Sequence, residues 1–233
     1  MPFAAINAVA FAFPTYDDVW KAMDGDLGDF VRKAFFEAGL FVFPKMLDNG
    51  YRNITTGSKP IVTPADLQGL KIRVPGNQLC TPCSRPRGAA PTPLNFGELY
   101  AALQTHIVDG QENPLALIQS SKLYEVQKHV SMTGHIWDGH HIFCNNRRWS
   151  AVPAEAQTII LEELYSAAVH EREDIKALNE KARTDIEAAG LTFHTVDKAP
   201  FRDVLAKAGF YTGWKEKFGG EAWGLLEKAV GTL

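Results

Sequence analysis

Only three of the 233 residues are cysteine, so the chain has no disulfide framework of the kind that staples small secreted domains. No apolar stretch is long enough to span a bilayer. No run of basic residues marks a nucleic-acid or membrane-surface patch, and the net charge is −3 with a pI near 6.2. The opening MPFAAINAVAFAFPTYDD lacks a basic n-region, and Asn7 and Pro14 break its apolar run. It therefore reads poorly as a secretory leader, despite the small residues Ala10 and Ala12. There is no internal repeat, low-complexity tract or flexible linker. What is present is 45% hydrophobic and 22% charged, a globular composition able to bury a sizeable core.

Periodicity and capping signals give an alternation of helices and strands. Tyr16–Met23 and Asp26–Ala38 read as short amphipathic helices, the second closed by Gly39. Leu40–Met46 reads as a strand broken by Pro44, and Tyr51–Thr55 as another. Thr63, Pro64 and Asp66 open a short helix as cap, first residue and third-position acid; Gly69 ends it, and Leu70–Val74 is a strand. Pro153–Ala189 is the longest helical pattern, with Ile159, Ile160, Leu164, Ala168, Ile175, Leu178 and Ala182 along one stripe. Leu191–Val196 follows as a strand. Pro200–Ala208, Tyr211–Phe218 and Glu221–Val230 complete the chain as helices, whose Phe201, Phe210, Trp214, Phe218 and Trp223 are expected to pack rather than to cage a ligand. This order predicts an α/β architecture with parallel strands.

The stretch from Leu94 to Gln127 organises the rest. Asn95 and Glu98 form a candidate capping box, and Leu99, Leu103 and Ile107 a buried stripe. Gln111, Glu112 and Asn113 follow the Asp109-Gly110 turn in extended form, before a second helix at Pro114 with Asn113 as its cap. Arg52 and Arg73 lie in strand-like segments between apolar neighbours, where a guanidinium needs a partner: an acid of the chain itself, or a carboxylate ligand held in a bidentate pair. His135, Asp138, His140 and His141 invite a metal reading, but their spacing fits no helical zinc motif. Cys80 and Cys83 form a C-x-x-C, yet Pro86, Pro91 and Pro93 deny it the helix N-terminus that redox chemistry uses. Cys144 is expected to be buried and inert.

ALQTHIVDGQENPLALIQSSKLYEVQKH resembles the central signature of the solute receptors of TRAP transporters, the DctP family. NGYRNITT, GLKIRVPGN and PTPLNFGELY match the same family in the expected order. The resemblance implies a type II periplasmic-binding-protein-like α/β fold with two lobes and a long lobe-spanning helix. Lobe I would comprise residues 1–48 and 139–178, and lobe II residues 49–138 and 179–233. It implies binding of a small organic acid in a cleft, without chemical conversion and without a cofactor, for delivery to TRAP permease subunits from the periplasm. Arg73 of KIRVP matches the principal carboxylate-binding arginine, Arg52 of NGYRN the second, and Asn113 of DGQENP completes the carboxylate site. Phe96 falls at a ligand-contacting position, and Trp137 and Asp138 lie where the chain crosses between lobes. Trp137 and Phe96 together favour a monocarboxylate with an apolar or aromatic body over a sugar acid or dicarboxylate. The competing class is an enzyme acting on a carboxylate, with Glu112 or His135 as base.

Two departures from the family are expected. The chain begins within an internal piece of it, so the first βα units of lobe I and the export signal have no counterpart. Such a truncation predicts a poorly soluble or partly unfolded receptor fragment that fails to bind the ligand of longer relatives. In related receptors residues 79–88 form an amphipathic helix that LCTPCSRPRG does not resemble, as a pair of compensating frameshifts would produce.

Overall fold

A computed structural model describes residues 2–76 and 88–233. The chain opens with a 3-10 turn, Pro2–Ala8, and then helices α1 (Tyr16–Met23) and α2 (Asp26–Glu37). Thr15 starts α1 through a capping box: its hydroxyl accepts from the Asp18 N–H at 3.2 Å, and Asp18 accepts the Thr15 N–H at 3.1 Å. Gly39, at φ +87°, follows α2 in the left-handed conformation expected of a C′ residue.

Strands β1 (Leu40–Val42) and β7 (Phe143–Asn145) pair as an antiparallel ribbon. The main sheet has six strands in the order β4-β3-β5-β2-β6-β8. These are β2 (Leu47–Thr56), β3 (Lys71–Val74), β4 (Ala90–Pro93), β5 (Gly110–Asn113), β6 (His129–His140) and β8 (Thr192–Thr195). β3 runs parallel to β4 and β5, and β6 parallel to β8, but β2 is antiparallel to both neighbours. The expected parallel strands are present, within a sheet that is mixed because of β2. Alternating strands and helices do not fix strand direction where long connections join neighbours, and β2 reaches β5 and β6 only through such connections.

The remaining helices are α3 (Leu99–Gln104), α4 (Leu115–Ser120), α5 (Asn146–Ser150), α6 (Ala154–Ala188), α7 (Ala199–Lys207), α8 (Phe210–Phe218) and α9 (Gly220–Val230). One core, under one face of the sheet, holds α3, α4 and the C-terminal turns of α6, with Leu99, Leu103, Leu115, Ile118 and Ile186 all buried. The other joins Ile54, Ile72, Val74 and Trp137 to the N-terminal helices and to α7–α9. Phe201, Phe210, Trp214, Phe218 and Trp223 are buried there, so the C-terminal aromatics do pack. Tyr211 donates its hydroxyl to the Ala10 carbonyl at 3.1 Å, and Lys228 meets Asp26 at 2.7 Å. Residues 1–48 and 179–233, assigned to different lobes by resemblance, therefore share a core.

Several local expectations change. Asn95 precedes a 3-10 turn, Phe96–Glu98, without a side-chain cap. α3 stops at Gln104 because His106 turns left-handed (φ +57°), leaving Ile107 58% exposed while Val108 fills the core instead. Pro114, not Asn113, caps α4, because Asn113 still belongs to β5. On the long helix Ala168 and Ala182 are buried, but Ile159 and Leu178 face outward. Cys144 is half-buried rather than enclosed, and burial raises its thiol pKa. Cys80, Cys83 and the expected irregularity at 79–88 lie outside the described residues, apart from Gly88. Among the described residues no helix is long and apolar enough to cross a membrane.

Gly110 shows how closely the central strands approach. A Cβ there would lie 2.3 Å from the Thr55 carbonyl oxygen. Gly110→Ala is expected to lower stability by about 1–3 kcal/mol, as overpacking does. A urea midpoint equal to that of the parent protein would show that β2 and β5 can part at no cost.

Candidate functional site

The polar centre of the sheet is built on β2, β5 and β6. Antiparallel register sets Asn53 opposite Asn113 and Ile54 opposite Glu112. Arg52 therefore projects beside the end of β5 and is 6% exposed. Its Nε and Nη2 form a fork with the Glu112 carboxylate, Nη2 also donates to the Glu112 carbonyl at 2.7 Å and to Asn113 Oδ1 at 3.0 Å, and Nη1 donates to Asp138. Asp138 also accepts from Asn49 Nδ2 at 2.9 Å. His135 Nε2 approaches the same Glu112 Oε2 that Arg52 Nε holds, at 3.3 Å, and its Nδ1 lies 2.8 Å from the Thr133 hydroxyl. Burial alone would raise the Glu112 pKa, but the Arg52 charge and the His135 hydrogen bond outweigh it and hold the carboxyl at about 2.

The sequence leaves Arg52 two kinds of partner, an internal acid or a ligand, and the structure gives it two internal acids. His135 and Glu112 emerge as members of this network. The signal for them was that GQEN and TGHIWD each carry polar side chains in a strand-like segment, where a buried polar group needs a partner.

Arg73 sits on β3 with Gln111 of β5 opposite it on one side and Thr92 of β4 on the other. Side chains alternate along a strand, so Arg73, Gln111 and Asn113 share one face. The Asn113 side-chain amide donates to Gln111 Oε1, whose own amide donates to the Thr55 hydroxyl at 2.9 Å. Arg73 is 3% exposed and directs Nε and Nη2 at the Leu94 carbonyl, 3.0 and 2.7 Å away. Its guanidinium lies 5.8 Å from the ring centroid of Phe96, which is 42% exposed. The 3-10 turn of Phe96 thus brings an accessible aromatic beside a buried planar cation.

Trp137 is placed differently. Only 1% of it is exposed, its ring packs edge-on against Phe13 and Trp20, and its Nε1 donates to Asp48 Oδ1 at 2.8 Å. Asp48 is buried enough for desolvation to raise its pKa, despite the hydrogen bonds from Trp137 and the Gly50 N–H. The histidines that invited a metal reading stand apart: His135 faces Glu112, His140 is exposed, and His141 stands edge-on to Phe35. Burial lowers His141 to a pKa of about 4.

The family described as "Bacterial extracellular solute-binding protein, family 7", DctP, matches residues 1–209. A solute-binding protein of Roseobacter denitrificans is 32% identical over 207 residues, covering 89% of this chain and 63% of that protein. The 2,3-diketo-L-gulonate-binding periplasmic protein YiaO of Escherichia coli K12 is 31% identical over 205 residues, 88% of this chain and 62% of that one. The chain therefore spans less than two thirds of the length of these relatives. In a solved structure, a TRAP periplasmic solute binding protein from Polaromonas sp. JS666 bound to D-erythronate superimposes with a TM-score of 0.91 at 32% identity. That match covers 100% of this chain and 76% of the other.

Proposed function

The chain belongs to the DctP family of bacterial extracellular solute-binding proteins, and we propose that it binds a small organic acid through its carboxylate, as the receptor of a TRAP transporter. The buried Arg73 guanidinium, on one sheet face with Gln111 and Asn113 and beside the accessible Phe96, carries this reading. In it Arg73 holds the carboxylate in a bidentate pair, while Phe96 contacts the ligand body. Arg52, with Glu112 and Asp138 already on its guanidinium, orients Asn113 and braces the site from behind. The receptor would hand its ligand to TRAP permease subunits from the periplasm. The two buried apolar cores support this binding reading over that of a partly unfolded, non-binding fragment.

The proposed lobe boundaries, near 48/49 and 138/139, fall within paired segments of β2 and β6. Asp48 pairs there with Gly139 and Gly50 with Asp138 across a register shift. A bulged ladder is a natural place for a sheet to bend, and Arg52 and Asp138 flank it.

One principal guanidinium favours a monocarboxylate. With Trp137 turned into the core, the case for an aromatic or aliphatic body rests on Phe96 alone, so sugar acids of the kind named for the relatives lead the candidates. A charge-assisted hydrogen bond contributes about 1.5–3 kcal/mol, whereas micromolar affinity needs about 8 kcal/mol; enclosure of the ligand body supplies the rest. The enzyme alternative is disfavoured by Glu112, whose carboxylate is fixed on Arg52 with a depressed pKa and makes a poor base. Incubating the protein with candidate acids should yield no product.

A thermal-shift screen tests the ligand class. A ligand at about 100 times its Kd stabilises by about 2.7 kcal/mol, or roughly 5–10 °C for a chain of this size. D-erythronate, D-glucuronate or a 2-hydroxy acid is expected to give such a shift and succinate none. Stabilisation by dicarboxylates alone would overturn the monocarboxylate reading.

A further inference from the structure

A second concave feature lies apart from Arg73. It is a cavity of about 240 Å³ walled by Phe11, Phe13 and Pro14 on one side, and by Gly134, Lys198 and Arg202 on the other. The apolar wall is fixed. Phe11 and Phe13 are 8% and 3% exposed; the Phe11 N–H donates to the His135 carbonyl at 2.8 Å, and its ring lies 6.5 Å from that of Phe201.

The cationic wall is held by backbone shape. Gly134 has φ +46°, and a Cβ there would lie 2.9 Å from Lys198 Nζ, so glycine lets the ammonium lie over the strand. The same nitrogen is 5.9 Å from the Tyr51 ring centroid. Arg202 gives Nη2 to the Thr232 carbonyl at 2.9 Å. Among the described residues neither cation forms an ion pair. Two positive groups thus converge on an aromatic-walled cavity that, among the described residues, no carboxylate neutralises. Desolvation lowers the Lys198 pKa, a penalty that an anion alongside would offset.

We propose that this cavity is a second ligand site, for a small carboxylate with an aromatic or apolar body, seated against Phe11, Phe13 and Pro14 with its carboxylate between Lys198 and Arg202. Its volume lies below the ~300–1,000 Å³ of drug-sized sites, so the occupant is a small acid rather than a peptide segment. The site shares no residue with the one proposed around Arg73 and stands whether or not that reading holds.

Fluorine NMR with para-fluorobenzoate as probe tests it. Saturable line broadening is expected with the parent protein, and weakening by about tenfold or more in a Lys198→Ala, Arg202→Ala double variant. Neutral para-fluorobenzyl alcohol should bind far more weakly. Intermolecular NOEs from the probe to the Phe11 and Phe13 rings give a readout that needs no variant. The proposal fails if benzoate does not saturate, if the alcohol binds equally, if the double variant is unaffected, or if those NOEs are missing.

Discussion

Arg52→Met is expected to destabilise the protein by about 3–5 kcal/mol, the loss seen when one member of a buried ion pair is removed. The guanidinium is the shared partner of Glu112, Asp138 and Asn113 in the middle of the sheet. Methionine fills much of its volume but leaves the 3%-exposed Glu112 carboxylate without its guanidinium, beside the His135 ring nitrogen 3.3 Å away. The effect should depend on pH. The folded pKa of Glu112, about 2, lies below its ordinary 4.5. A carboxyl held down in this way stabilises the fold above the unfolded value, and that contribution is lost as pH falls from about 4.5 through about 2. Urea denaturation of the parent and variant should therefore show a wide gap at neutral pH that narrows on acidification. A gap that stays constant with pH would mean that Arg52 stabilises the sheet by packing rather than by charge.

Arg73→Lys is expected to weaken binding of the best acid by roughly 10–150-fold, the equivalent of a charge-assisted hydrogen bond, while leaving the unfolding midpoint close to that of the parent. An ammonium preserves the charge but not the planar fork that matches a carboxylate and lies over Phe96. Intrinsic fluorescence titration reads the affinity. An unchanged Kd in a folded Arg73→Lys protein would remove Arg73 from the site.

The helices were the most legible part of the sequence, because their signals are local. Tyr16–Met23 is bounded by Thr15 and Asp24, and the 35-residue helix Ala154–Ala188 by Pro153 and Gly190. Strand direction was less legible, since β2 finds its neighbours β5 and β6 more than 50 residues further along the chain. The site shows the same division. Two arginines between apolar residues announced buried charges, but the pairing of Arg52 with Glu112, 60 residues away, is decided by register. Trp137 was expected at the ligand because the resemblance puts its segment where the chain crosses between lobes; that Phe13, Trp20 and Asp48 enclose its ring depends on residues distant in sequence. Family resemblance supplied what periodicity lacks, the fold and the candidate acid-binding residues.

Recognition of a carboxylate is what separates the proposed receptor from a binder of neutral solutes. It is tested by calorimetric titration with the acid that stabilises the protein most, beside the neutral alcohol of the same carbon skeleton. Saturable heat is expected for the acid, with a Kd in the micromolar range or below, and none for the alcohol. Equal binding of acid and alcohol, or no binding of any acid, would overturn carboxylate recognition.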